Sequence, residues 1–184
     1  TGAMDINAES ISYNAEYRTE IRSLTMDKGI LMTTANDPEA ESVYEMYYDF
    51  STPVRKMTGY RTLAINRGEK EKFLSVKIEA PVDEITGYLI RQVIVRDNPN
   101  TNDILRNTIT DSYDRLIAPS IERDIRSSLT EAAEDGAIKV FGSNLKQLLM
   151  QPPINGHVVL GWDPAFRTGC KLAVVDATGK VIPP

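Results

Sequence analysis

Apolar side chains return every three or four positions over residues 1–28: Ala3, Met4, Ile6, Ala8 and Ile11, then Tyr17, Ile21 and Leu24. That period predicts helix. Asn14 is placed to cap a second helix inside the span, and Gly29 stands where a helix ends. Ile30-Leu31-Met32-Thr33-Thr34 reads as a short strand, and Asn36-Asp37-Pro38 as a turn into the next element. Residues 39–50 read as an acidic helix rich in tyrosine, with Tyr44 and Tyr48 one turn apart and facing inward. Ser51-Thr52-Pro53 is a helix-start signal, a hydroxyl cap before a proline. Helix is expected from Val54 to Asn66, with Gly59 at a junction. Phe73 to Glu79 alternates apolar and polar, as a half-buried strand does. The two strands are expected to pair, since an unpaired strand leaves its backbone groups unsatisfied.

Residues 82–96 read as a short helix and 98–101 as a loop. The helical period then returns through Leu105, Ile109, Leu116, Ile117, Ile121, Ile125, Leu129 and Ala133. Pro119 is expected to break or kink this run at Ala118. The second part can reach Met150, about 48 Å at 1.5 Å per residue, before Gln151-Pro152-Pro153 stops it. His157 to Asp163 then reads as a buried strand, with Lys171 to Asp176 its antiparallel partner. Residues 177–180 form a turn, and Val181-Ile182 begins a third strand. The fold class expected is mainly α with short strands (α+β). Residues 1–153 form a helical region with two strands, and 154–184 a β-hairpin.

Composition narrows the chemistry. The 184 residues are 41% hydrophobic and 26% charged, which suits a globular chain large enough for its own core. A single cysteine, Cys170, excludes an internal disulfide and reads as a small buried strand residue. One histidine, His157, beside one cysteine excludes the usual zinc sites. No cofactor and no metal are expected, and no apolar run reaches the roughly 20 residues of a membrane span. The start lacks both Met and the basic, apolar pattern of a signal peptide, so the chain reads as an interior piece of a longer protein. The net charge of −5 excludes binding of nucleic acid over the whole surface and leaves room for a local basic face.

Such a face is legible. Arg55, Lys56, Arg61, Arg67, Lys70 and Lys72 fall within eighteen residues, against Glu69 and Glu71. Held on one side they would meet phosphates; otherwise they are a solvated surface paired to acids such as Glu45 and Asp49. Tyr44, Tyr47 and Tyr48 offer stacking platforms for single strands, or else pack in the core. Arg115, Arg123 and Arg126 interleave with Asp111, Asp114, Glu122 and Asp124 and read as surface pairing of small worth. Asp163 ends the first strand of the hairpin, as the metal-binding Asp does at the start of RNase H-like nucleases. Two-metal cleavage needs further carboxylates, so no catalytic residue is assigned, and Asp163 is at most a vestigial first-strand carboxylate.

Three separated blocks resemble one family. Gly161-x-Asp163-Pro164-x-x-Arg167-Thr168-Gly169-Cys170-Lys171-x-Ala173-Val174-Val175-Asp176 resembles the opening of the resolvase-like (YqgF-type) domain of the Tex transcription accessory proteins. Ala165 stands where glycine is usual, and Trp162 where a smaller aliphatic residue is. Ala137 to Pro153 is similar to the family's helix leading into that domain. Tyr48-Asp49-Phe50 with Pro53, then Arg61-x-Leu63-Ala64-x-Asn66-Arg67-Gly68-Glu69-Lys70-Glu71, matches a further block. The resemblance implies a cytoplasmic transcription accessory factor. It places this chain in the helical middle, followed by the first hairpin of an RNase H-like domain considered catalytically degenerate. A helix-turn-helix-like part would lie before it and an RNA-binding OB module after it. RNA or DNA, met mainly through those other modules, and RNA polymerase are the partners implied. The competing readings are part of a metal-dependent nuclease and a purely structural connector. The apolar hairpin is expected to dock on the 119–150 helix or to pair with another copy.

Overall fold

Asn14 divides the first helical span. Its side-chain oxygen accepts the N–H groups of Glu16 (2.9 Å) and Tyr17 (3.1 Å), two donors that the start of a helix leaves without partners. Helix α1 (Gly2–Tyr13) therefore ends where α2 (Ala15–Lys28) begins, and Gly29 closes α2 with its N–H on the Thr25 carbonyl at 2.9 Å. The computed structural model describes residues 2–96, 98–99, 101–152, 154–165, 167 and 169–183. Asn100, Pro153, Phe166 and Thr168, which the sequence placed in connections, lie outside the described residues.

Strand β1 (Ile30–Ala35) is the middle of an antiparallel sheet, flanked by β2 (Asp49–Pro53) and β3 (Leu74–Glu79). Leu31 sits opposite Ile78 and Thr33 opposite Val76. Leu31, Thr33, Leu74 and Ile78 are buried, whereas Ile30, Met32 and Thr34 are exposed. That alternation is the mark of a sheet with one covered face. The pairing expected between 30–34 and 73–79 is present.

The helix expected over 39–50 is not. Glu45–Tyr47 is a single 3-10 turn, and Asp49–Pro53 is strand β2. Side chains compete for the backbone here: Asp37 accepts the Glu39 N–H (3.1 Å) and Ser42 Oγ that of Tyr44 (3.0 Å). Such local bonds hold the chain out of a helix. Pairing with β1 then claims residues 49–53. Tyr44 and Tyr47 are buried, and Tyr48 is half-buried with its hydroxyl on the Ala40 carbonyl. Ser51-Thr52-Pro53 accordingly ends a strand rather than starting a long helix, and only a short turn, Val54–Lys56, follows it.

Helix α3 (Gly59–Lys70) begins at the expected junction. Its end is a Schellman motif: Phe73 N–H bonds the Gly68 carbonyl (2.9 Å) and Lys72 N–H that of Glu69 (3.0 Å). Lys72 takes the left-handed conformation, φ 65°, that the motif requires and that glycine usually supplies. The turn delivers the chain directly into β3.

Helices α4 (Val82–Val93) and α5 (Asn102–Asp111) follow, and α6 runs from Ala118 to Leu149. No break occurs at Ala118. Residues Ser112–Ile117 form a π-helical segment instead, and Ala118 N–H reaches back to the Tyr113 carbonyl. Proline lacks a donor and its ring crowds the carbonyl four residues earlier. The wider turn relieves that crowding, and Pro119 falls in the first turn of α6. Ser112 is fully buried there, its hydroxyl on the Ala8 carbonyl at 2.7 Å, which ties the π segment to α1. The core joins Ile21, Leu31, Ile65, Ile85, Ile109 and Ile125 with their neighbours. Polar bonds link α2 to α6, Arg18 to Ser120 and Arg22 to Asp124 and Ser128.

The chain divides into two compact units, 1–138 and 139–184. In the second, β4 (Val159–Asp163), β5 (Lys171–Val175) and β6 (Val181–Ile182) form an antiparallel sheet in the order 4-5-6. The strand positions match expectation and the burial does not: Leu160, Trp162 and Leu172 are 60%, 67% and 64% exposed. Three short strands supply apolar side chains without a covering layer of their own. Cys170 is exposed and precedes β5, so it is not a buried strand residue.

Replacing Lys72 by glycine relieves the left-handed strain and should stabilise the chain by about 0.5–1 kcal/mol. Lys72→Val should destabilise it. Thermal unfolding of both variants checks this; a glycine variant that melts below the parent chain refutes the strain account.

Candidate nucleic-acid interface

The six basic residues of the 55–72 stretch fall on three pieces of local structure. Arg55 and Lys56 occupy the turn after β2, Arg61, Arg67 and Lys70 lie on α3, and Lys72 sits in its terminal motif. They do not share one fate. Arg55 bonds Asp27 at 3.0 Å, an exposed pair of small worth. Arg61 is half-buried, its guanidinium 5.6 Å from the ring centres of both Phe50 and Tyr60. It is a packing residue as well as a charge. Lys56, Arg67, Lys70 and Lys72 are exposed, and none makes an ion pair among the described residues.

Two acids within the stretch, Glu69 and Glu71, lie against other groups. Glu69 grips Arg126 of α6, whose guanidinium also reaches Asn66 Oδ1 at 3.3 Å; Asn66 in turn donates to Thr130 Oγ1 at 2.8 Å. The carboxylate of Glu69 holds Arg126 firmly in its charged form against the cost of partial burial. Arg126 is thus a strut between α3 and α6, not the surface residue its sequence neighbours implied. Glu71 lies beside the buried Tyr44 hydroxyl. Burial first, and then Glu71, push that phenol above its ordinary value.

The tyrosine cluster is core. Tyr44 stacks obliquely on Phe73 (5.8 Å) and Tyr47 edge-on to Phe50 (5.4 Å), so neither is a stacking platform. The exposed aromatic on this side is Tyr60, 65% exposed beside Arg61. Sequence reasoning passed over it, and its only signal was a tyrosine directly preceding an arginine at a helix start.

Asp163 ends β4 opposite Lys171, whose ammonium is 4.0 Å away, and both are exposed. Among the described residues no group of three metal-ligating side chains converges anywhere. The other carboxylate of the hairpin has a structural task. Asp176 Oδ1 accepts Thr178 Oγ1 (2.7 Å) and the N–H groups of Thr178 (2.8 Å) and Lys180 (3.0 Å). The Thr178 hydroxyl chiefly, then those two amides, hold its acidity below the ordinary carboxylate value. Among the described residues no helix is long and apolar enough to cross a membrane.

A mainly helical unit carrying a small antiparallel sheet, then a short second sheet, is the class of architecture found. Residues 1–141 match the family described as Tex central region-like, and residues 157–183 match the Tex protein YqgF-like domain. The chain belongs to the Tex family. It is 50% identical over 184 residues to YdcI of Bacillus subtilis (strain 168), covering 98% of this chain and 26% of that protein. It is 32% identical over 191 residues to the transcriptional accessory protein Tex of Neisseria gonorrhoeae, covering 98% and 25%. It is 31% identical over 198 residues to the human S1 RNA-binding domain-containing protein 1, covering 98% and 20%. The chain therefore spans only a fifth to about a quarter of the length of these relatives.

The depressed acidity of Asp176 has a definite sign. Its hydrogen bonds stabilise the turn fully above the unfolded value of about 3.9 and are lost as pH falls through the lower folded value. The amide resonances of Thr178 and Lys180 should titrate together with a midpoint below about 3.9. An Asp176→Asn variant should abolish that titration. Amide shifts that stay flat in the parent chain on acidification refute the assignment.

Proposed function

We propose that this chain is a scaffold region of a cytoplasmic, nucleic-acid-associated transcription accessory factor, with an auxiliary phosphate-contacting face on α3. The observation that carries the reading is the set of four exposed cations, Lys56, Arg67, Lys70 and Lys72, left without ion-pair partners while Glu69 is committed to Arg126. Unpaired cations on a folded surface release counterions when they meet phosphates. Family membership and the names of the relatives, transcriptional accessory protein and S1 RNA-binding domain-containing protein, support the same direction. RNA is the partner favoured. RNA polymerase is a further partner that the accessory role would bring.

The chain positions rather than reads. Arg67 and Lys70 at the end of α3, Lys72 in its terminal motif and Lys56 in the turn after β2 offer charge without a base-specific array. Catalysis is not part of the proposal. Asp163 faces a lysine rather than a second carboxylate, and a two-metal cleavage needs several.

Binding of labelled single-stranded RNA should be weak and should fall with salt. The double variant Arg67→Glu, Lys70→Glu should flatten the log–log salt slope by about 1.4, two phosphate contacts at roughly 0.7 each. No binding at low salt, or an unchanged slope in the variant, sinks the proposal. The RNA should remain intact with magnesium or manganese; cleavage lost in Asp163→Ala would replace the scaffold reading with a nuclease.

The exposed apolar strands of the second unit make a separate expectation. Leu160, Trp162 and Leu172 present a face of the kind that associates in water. Sedimentation of the 184-residue chain should show concentration-dependent self-association that a chain ending at Pro153 lacks. Equal, monomeric behaviour of the two removes the idea.

A further inference from the structure

The outer face of α3 changes along its length from apolar to cationic. Thr62, Ile65 and Gly68 are buried, and the helical period puts Tyr60, Leu63, Arg67 and Lys70 on the opposite side. Tyr60 is 65% exposed, Leu63 is half-buried, and Arg67 and Lys70 are exposed. Tyr60 and Arg67 lie two turns apart, about 10 Å along the axis at 1.5 Å per residue, and Lys70 is one turn beyond. Neither Arg67 nor Lys70 forms an ion pair among the described residues. Glu71, one turn past Arg67, lies beside the Tyr44 hydroxyl.

An apolar side chain that stands singly on a surface needs no explanation. Tyr60 is not of that kind, because its ring is already held. The Arg61 guanidinium lies over it, 5.6 Å from the ring centre, and over Phe50 of β2 at the same distance. Phe50 in turn meets the buried Tyr47 edge-on at 5.4 Å. Arg61 thus fastens the Tyr60 ring to the sheet. A ring fixed before its ligand arrives loses little rotamer freedom on binding. The exposed remainder of the ring is open to a flat group.

We propose that Tyr60 stacks an unpaired base of a single-stranded nucleic acid whose phosphates run along Arg67 and Lys70. The proposal rests on the phosphate-contacting face of α3 and names the form of nucleic acid which that face takes. The ring and the aliphatic Leu63 meet a base through its π-face, which every base has, so no sequence is read. A base inside a duplex is stacked on its neighbours and does not offer that face. A bare phosphate has no use for the ring. Apolar surface and charge in one row therefore favour a strand with free bases. Arg61 is a positioning residue for the ring.

The test is binding of the 184-residue chain to three labelled probes at low salt. They are a short uridine oligomer, a ribose–phosphate oligomer of equal length without bases, and an RNA duplex of that length. The parent chain should bind the uridine oligomer about five-fold or more tightly than the base-free strand, the scale of one stacked base. Tyr60→Ala should remove that preference and leave binding of the base-free strand and the duplex, and the log–log salt slope, unchanged. Tyr60→Phe keeps the ring and should bind as the parent does. The comparison of the two strands on the parent chain decides even where a variant is less stable. Equal binding of those strands by the parent, an undiminished preference in Tyr60→Ala, or a loss in Tyr60→Phe as large as in Tyr60→Ala each overturns the proposal. A salt slope that still flattens in Arg67→Glu, Lys70→Glu would then leave the phosphate face standing without the stack. No binding of any probe removes both.

Discussion

A three-stranded sheet with one apolar face is unstable until something covers that face, and most of the first unit answers this constraint. The middle strand β1 has both edges satisfied, by β2 and β3, so its inward residues Leu31 and Thr33 are fixed in register with Ile78 and Val76. A slip of one residue would turn Ile30 and Met32 inward and Leu31 outward. With the register fixed, the covering helices have a defined surface to meet, and Ile21, Ile65, Ile121 and Ile125 join the same cluster. Full burial of each such side chain contributes roughly 1.5–3 kcal/mol. The polar struts Arg126–Glu69 and Arg22–Asp124 then fix where the helices meet more than they add stability, because partly exposed ion pairs contribute little.

Long periodic segments were legible in the sequence because their signal comes from local geometry. The helix pair around Asn14, the strands 30–35 and 74–79, and the run to Leu149 all have either repeated spacing or a capping residue. Residues 39–53 were not legible. The tyrosines there are spaced as on a helix, but the cause of the real structure lies elsewhere in the chain: β1 offers an open edge, and Asp37 and Ser42 hold the backbone out of a helix. The π segment was hidden for a related reason. Pro119 announces trouble, and only the packing of Ser112 against α1 decides that the helix widens instead of breaking.

The site was partly legible. The basic run could be counted from the sequence, but the engagement of each charge could not. Arg55 is spent on Asp27, Arg61 is stacked on rings, and Glu69 is withdrawn by an arginine 57 positions away. Partners so distant carry no local pattern. The same holds for Glu122 of α6, whose carboxylate accepts the Ile78 N–H of β3 across 44 positions.

The net charge of −5 conceals two surfaces of opposite sign on one folded unit. At the end of α3 the acids are sequestered and the cations left free; beside the π turn the carboxylates of Glu79, Asp114 and Glu122 outnumber the ammonium of Lys77. Screening limits each field to about 8 Å at physiological salt, so the two act locally instead of cancelling. On the proposed reading, a polyanion approaching this unit is attracted at α3 and repelled beside the π turn, which fixes the way round it would lie. A cationic side chain experiences the reverse. Orientation of partners by charge needs no base reading and no catalytic group, and it follows directly from which ion pairs the packing of α3 on α6 forms and which it leaves unmade.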